Sequence, residues 1–291
     1  MVYKKVKVYF DGSHYIGIPH ISQPWKRRKI KPVIKNVEQV KKVKEIYKSV
    51  KGNKKEKIEK AISIINDEIK DIEESKSLVN ETIEKEKRNK IVRLTRLYRK
   101  ANLQQWNYFC TFTYDSNKLS EEEFRVRFLN CIRHLSNRKD WKYIGVFERS
   151  PVLQRLHFHG IFLIPTMIGS IQEIKDYSTK THKMQIAHQN TFFIARFGRN
   201  DFRKIENPLL IQQSIRYILK YIQKTGEKVI YSKHLQTYFI TDIVDEDVVC
   251  RIGQEDRKLL LFDDFKCYDL ETGEVFGTVC PETISKLEKT N

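Results

Sequence analysis

The chain has 291 residues, 40% of them apolar and 11% aromatic, enough to build one or two cored domains. Lys and Arg number 55 against 37 Asp and Glu, and the formal charge of +18 calls for a polyanion, nucleic acid first and an anionic membrane surface second. No apolar run approaches the roughly 18 residues of a membrane span, the start Met1-Val-Tyr-Lys-Lys-Val has no apolar signal region, and the five scattered cysteines hold no Cys-x-x-Cys pair. A cytoplasmic protein of a reducing compartment is expected, with no membrane partner, no disulfide framework and no cysteine zinc site.

Lys5 to Phe10 reads as a short edge strand, and Pro24 to Pro32 as an exposed basic arm. Residues 36–102 contain no proline and few aromatics, which predicts helix. Inside them Ile58, Ile62, Ile65, Ile69 and Ile72 are spaced 4, 3, 4, 3, and Val79 and Ile83 keep the register of an a/d seam. Gly52-Asn53 marks a break before it. This region, residues 1–87, is expected to be a basic arm followed by a helical hairpin or coiled coil. It packs on itself or makes a homo-oligomer through the seam, with its lysines as a solvated face.

The composition changes near residue 103. Trp106 to Tyr114 is β-rich. Ser120 followed by three glutamates is a capping box that opens an amphipathic helix through Phe124, Phe128, Ile132 and Leu135. Lys142–Glu148 and Arg155–Ile164 read as two strands joined by a hairpin. Residues 166–190 are polar and read as a loop with one weak helix. Thr191–Phe197 reads as a fourth strand. Pro208 stands at the start of a helix that runs from Leu209 to about Lys224 and that Gly226 ends. The fold class expected is α+β, an antiparallel sheet with flanking helices. Residues 228–291 alternate short β-like runs with acidic turns and read as a β-rich extension.

Three elements carry chemistry. His157-Phe158-His159 lies mid-strand, so both imidazoles point to one face and the phenylalanine to the other. Such a pair is more often packing than a metal site. Glu148 ends the neighbouring strand, where a hairpin would bring it beside the histidines; alone it would be a surface carboxylate paired with Arg149 or Arg155. Two imidazoles and one carboxylate leave positions open on an octahedral divalent ion, which suits catalysis better than structural zinc. The third element is Tyr217-Ile-Leu-Lys220-Tyr221-Ile-Gln-Lys224. At helical spacing its two phenols and two ammonium groups share one stripe, with Ile218, Leu219 and Ile222 toward the core. Taken alone, this is an amphipathic helix with snorkelling lysines.

Together, in this order, the elements resemble the HUH endonucleases. Phe109–Asp115 is similar to that family's first motif, Arg155–Ile161 to its His-hydrophobic-His strand, and Tyr217…Lys220 and Tyr221…Lys224 to its Tyr-x-x-Lys helix. The likeness covers residues 88–225 and is nearest to rolling-circle replication initiators of small single-stranded DNA phages and bacterial plasmids. It implies a ferredoxin- or RRM-like core over residues 88–227 and magnesium or manganese on His157, His159 and Glu148. It also implies nicking of a single-stranded DNA origin by tyrosine, with Lys220 and Lys224 on the phosphate, and a host polymerase and helicase as partners. Tyr221 is implied as first nucleophile and Tyr217 as the second. No Gly-x-x-x-x-Gly-Lys-Ser/Thr loop is present to drive a fused helicase. Two rivals remain open: a transposase with the same site, and a non-catalytic binder that stacks bases on a platform of Phe112 and Tyr114 alternating with Thr111 and Thr113.

Overall fold

The computed structural model describes residues 1–20, 36–150, 154–178, 182–207, 213–218, 228–252, 258–287 and 289–290. The chain forms two compact units, one of Met1–His20 with Leu97–Asn291 and one of Ile21–Arg96. Residues 1–20 thus join the larger unit, contrary to the grouping of residues 1–87 as one region. The reason is strand pairing. β1 (Val2–Phe10) lies between β2 (Tyr15–Ile18) and a strand from residues 238–244, so it is interior and not an edge. Val6 and Val8 are fully buried, while Lys5 and Lys7 alternate outward.

The helical unit contains α1 (Val37–Ser49), α2 (Lys54–Ile69) and the first part of α3 (Ile72–Asn102). Asn53 caps α2 in a capping box with Glu56, placing the break where Gly52-Asn53 predicts it. The isoleucine seam is not one continuous coil. Lys70 adopts the left-handed conformation (φ 58°) and ends α2, and Ile72 starts a new helix with 45% of its surface exposed. Val43, Ala61, Ile65, Leu78, Val79 and Ile83 instead close a small core among the three helices, edged by Ile58, Ile62 and Ile69.

In the larger unit, β3 (Tyr108–Thr113), α4 (Glu121–Lys139), β4 (Lys142–Arg149) and β5 (Leu156–Leu163) follow the expected pattern, with β4 and β5 an antiparallel hairpin. Residues 166–190 differ. They form a two-stranded ribbon, β6 (Ile171–Ser178) and β7 (Lys183–Asn190). Its side chains are mostly exposed, so no apolar alternation announces it. Thr191–Phe197, expected as a strand, is mainly the short helix α5 (Thr191–Arg196): the Asn190 side chain accepts from the Phe192 N–H, and Phe193 and Phe197, one turn apart, both face the core. The fourth strand is β8 (Asn200–Lys204), and residues 213–218 form helix α6.

The main sheet has the order β8-β3-β5-β4, extended at the β4 edge by β9 (Ile230–Tyr231), with every pairing antiparallel. A β-α-β-β-α-β chain in this order is the ferredoxin-like split βαβ arrangement. One face is packed by α4 and α5 over an aromatic core of Phe112, Phe124, Phe128, Phe158, Phe193 and Phe202. Ser120 caps α4 in the expected box with Glu123, and Phe124, Phe128, Ile132 and Leu135 are its buried stripe. Gly145 and Gly160 face each other across β4 and β5, leaving room for the Phe158 ring.

The remaining strands are β10 (Tyr238–Val244), β11 (Val248–Ile252), β12 (Lys258–Leu261), β13 (Lys266–Asp269), β14 (Glu274–Thr278) and β15 (Lys289–Thr290), with α7 (Pro281–Lys286). With β1 and β2 they make a second sheet over Phe239, Leu259, Phe265 and Ile284. The five cysteines are free thiols. Among the described residues no helix is long and apolar enough to cross a membrane.

Candidate active site

The strand ladders assemble the site on the sheet face opposite the aromatic core. Thr111 pairs with His159 and Thr113 with His157 across β3 and β5; Glu148 pairs with His157 across β4 and β5. Alternation then puts Phe112, Phe147 and Phe158 into the core and Thr111, Thr113, Glu148, His157 and His159 on the other side. Phe112 is 1% exposed and Tyr114 stacks on Phe124, so a base-stacking platform is not formed by these rings.

Each imidazole is held through its Nδ1. The Thr113 hydroxyl lies 2.7 Å from His157 Nδ1, and the Thr111 hydroxyl 3.0 Å from His159 Nδ1. The Nε2 of His159 faces the Glu148 carboxylate at 3.0 Å, in a pair with 8% and 7% exposure. Burial pushes the His157 pKa down to about 4; the His159 ring and the guanidinium groups of Arg155 and Arg199 act in the same direction, and the Glu148 carboxylate opposes them. His157 is therefore neutral at pH 7, with a lone pair for a Lewis acid.

A fixed second nitrogen is what a metal-ligating histidine ordinarily has, and here threonine hydroxyls supply it. The donor set of His157, His159 and Glu148 fits a divalent ion in its chemistry. Among the described residues no three His, Cys, Asp or Glu side chains are already gathered as a metal cluster; Glu148 is engaged with His159.

Helix α6 brings the third element to this face. Its Tyr217 ring lies edge-on to His159, 5.3 Å between centroids, and edge-on to Phe109 at 5.6 Å. Ile215 and Ile218 are fully buried, while Tyr217 keeps 36% of its surface exposed. The amphipathic stripe thus delivers one phenol to the imidazoles. Lys220, Tyr221 and Lys224 lie outside the described residues, as do Leu219 and Ile222 and the Pro208 start and Gly226 end of the helix.

Several neighbours carry no signal of their role in the sequence. Thr111 and Thr113 anchor the imidazoles, which is legible only once strand register is known. Arg155 donates to the Tyr114 carbonyl at 2.6 Å and lies over its ring, and Arg199 pairs with Asp176 on the β6–β7 ribbon. Both place positive charge near His157.

The fold and this face define an α+β protein with a histidine strand, a facing carboxylate and a tyrosine helix on one open sheet surface. Residues 107–226 match the model of a family of replication-associated proteins, the ORF2 type, which points to a role in replication initiation. The match spans β3 through α6, the same segment that builds the site. Comparison with curated proteins and with solved structures found no match.

Proposed function

We propose that this chain is a rolling-circle replication initiator of the HUH type, which nicks single-stranded origin DNA and rejoins it. The observation that carries this reading is the contact of the Tyr217 ring with His159, on a face that also holds His157 and Glu148. A structural helix has no need to set a half-exposed phenol against two anchored imidazoles.

In the proposed reaction a tyrosine oxygen attacks the scissile phosphorus. The P–O3′ bond breaks, the phenolic proton passes to solvent, and the departing 3′ oxygen takes one up. The products are a free 3′-OH, which primes a host polymerase behind a host helicase, and a 5′-phosphotyrosine. Attack of a 3′-OH on that ester restores the diester and the phenol, so rejoining needs no external energy source. A magnesium or manganese ion held by His157, His159 and Glu148 would draw charge from a non-bridging phosphate oxygen. Thr111 and Thr113 fix the imidazole orientation. Arg155 and Arg199 add positive potential for the phosphate, and Lys220 and Lys224 are proposed to touch it directly. The described geometry supports Tyr217 as the attacking residue, with Tyr221 one turn later taking the alternate round; the sequence resemblance implies the reverse order.

The test incubates the chain with end-labelled single-stranded oligonucleotides and Mn²⁺ and looks for an adduct that survives SDS. Tyr217→Phe should remove it and Tyr221→Phe should leave it. The reverse pattern returns first attack to Tyr221, and no adduct from the wild-type chain on any origin-derived strand overturns the reading.

A further inference from the structure

Charge is segregated along α3. Residues 72–86 carry five glutamates against two lysines, whereas residues 87–102 carry seven Lys and Arg and no acid. The acidic part is used internally: Glu86 pairs with Lys44 of α1 at 2.6 Å, and Glu84 with Lys54 of α2 at 4.0 Å. The basic part has no such use in its middle. Arg99 stacks on Tyr9 and Lys100 on Tyr231, but Arg88, Lys90, Arg93 and Arg96 are exposed and make no ion pair among the described residues. Favourable placement of cations near a helix C-terminus extends only over the last turn. Arg88 lies nearly four turns before Asn102, so the macrodipole does not account for it.

At 100° per residue Arg88, Arg96 and Arg93 fall within a 140° arc, with Val92 and Asn89 between them. Val92 is 50% exposed. Arg88 and Arg96 are eight residues apart, about 12 Å along the axis, close to the roughly 12 Å width of the major groove of B-DNA. We propose that this stretch of α3 binds duplex DNA by its phosphates, as a site separate from the one that takes the single strand. Charge complementarity selects a polyanion. The absence of aromatic side chains selects paired over unpaired DNA: residues 85–96 contain none, and binders of single strands rely on stacking bases on aromatic rings. A rigid helix with arginines on one arc suits a backbone of fixed spacing. The inference takes its biological sense from the replication reading, since an initiator must hold the double-stranded origin while it cuts one strand.

The experiment uses the full chain and the triple variant Arg88→Gln, Arg93→Gln, Arg96→Gln. Anisotropy is measured with a fluorescent 20-base-pair duplex and with a single-stranded 20-mer, each across a range of NaCl. For the duplex, the slope of log K against log [NaCl] should fall by about 2.7 in magnitude, about 0.9 for each phosphate no longer neutralised. The single-strand slope and the yield of covalent adduct on a short oligonucleotide should stay as in the wild type. A triple Arg→Lys variant should restore the duplex slope, which separates charge from fold. An unchanged duplex slope, or an equal fall on both substrates, overturns the proposal. A reduced duplex slope in a chain that never forms an adduct would defeat the nicking reading and leave this one standing.

Discussion

Glu148 faces His157 across the β4–β5 ladder, yet its carboxylate reaches diagonally to His159, 3.0 Å from Nε2. The carboxylate is thus within one side-chain rotation of both imidazoles. Sheet register sets this arrangement, because a slip of one residue would turn all three groups into the aromatic core.

Glu148→Gln keeps the shape and removes the charge. Nicking at fixed Mn²⁺ should fall by about two orders of magnitude, and raising the ion concentration should recover part of it. Thr111→Val and Thr113→Val should each cost roughly 10- to 100-fold in apparent metal affinity, because an unanchored imidazole loses its orientation. Initial rates of adduct formation over an MnCl₂ titration read both effects. Full activity of Glu148→Gln in EDTA would refute the metal reading.

His157 gives a pH prediction whose sign follows from burial. Its folded pKa of about 4 lies below the ordinary 6.5, so between these values the unfolded chain holds a proton that the folded chain refuses. Stability contributed through this group is intact above pH 6.5, declines as pH falls toward about 4, and declines no further below that. Following the His157 ring protons by NMR should give a midpoint near 4. A midpoint near 6.5 would mean the ring is solvated, and His157→Gln should flatten that part of the acid denaturation profile.

Gly145→Ala tests how the site is held from behind. A Cβ there would overlap the Phe158 ring and come 2.8 Å from the His159 carbonyl oxygen. Phe158 lies between the two histidines, so displacing its ring shifts both imidazoles. The variant should lose nicking by more than tenfold and melt several degrees lower, at a cost of about 1–3 kcal/mol for overpacking. Calorimetry and adduct yield on one preparation would expose any dissociation of the two.

Ile65 is fully buried in the helical unit. Ile65→Ala should destabilise that unit by about 2–5 kcal/mol, seen as an early step in urea unfolding. Ile62→Lys with Ile69→Lys should act likewise. Adduct formation on a short oligonucleotide should persist, because the matched segment begins at residue 107. Loss of the adduct with no early unfolding step would tie these helices to the chemistry.

The histidine strand, its neighbour and α4 were legible because each obeys a strong local rule: alternation of His and Phe, and a capping box before a clean apolar stripe. The ribbon β6–β7 was not, since Ala187 is its one buried apolar side chain among the described residues and no face of it alternates. Thr191–Phe197 misled through its aromatic and β-branched content; the Asn190 cap and the Phe193–Phe197 spacing are the signals that override it. β8, Asn-Asp-Phe-Arg-Lys, shows one buried phenylalanine in a polar run and is specified by its partner β3. The metal-side carboxylate was placed by hairpin logic alone, whereas the threonine anchors needed the β3–β5 register.

The interior position of β1 bears on the order in which the molecule is made. Tyr3 bonds Asp245 across 242 residues of chain. At roughly 5–20 residues per second, a ribosome delivers β10 some 10 to 50 seconds after β1 has emerged. In that interval β1 and β2 have only each other, and a lone two-stranded hairpin is marginal in water. Val6 and Val8, fully buried at the end, face solvent or a chaperone until then. The histidine-bearing sheet draws four of its five strands from residues 108–204 and closes earlier. Nascent chains stalled before residue 238 should therefore carry a folded catalytic sheet and a protease-sensitive N-terminus.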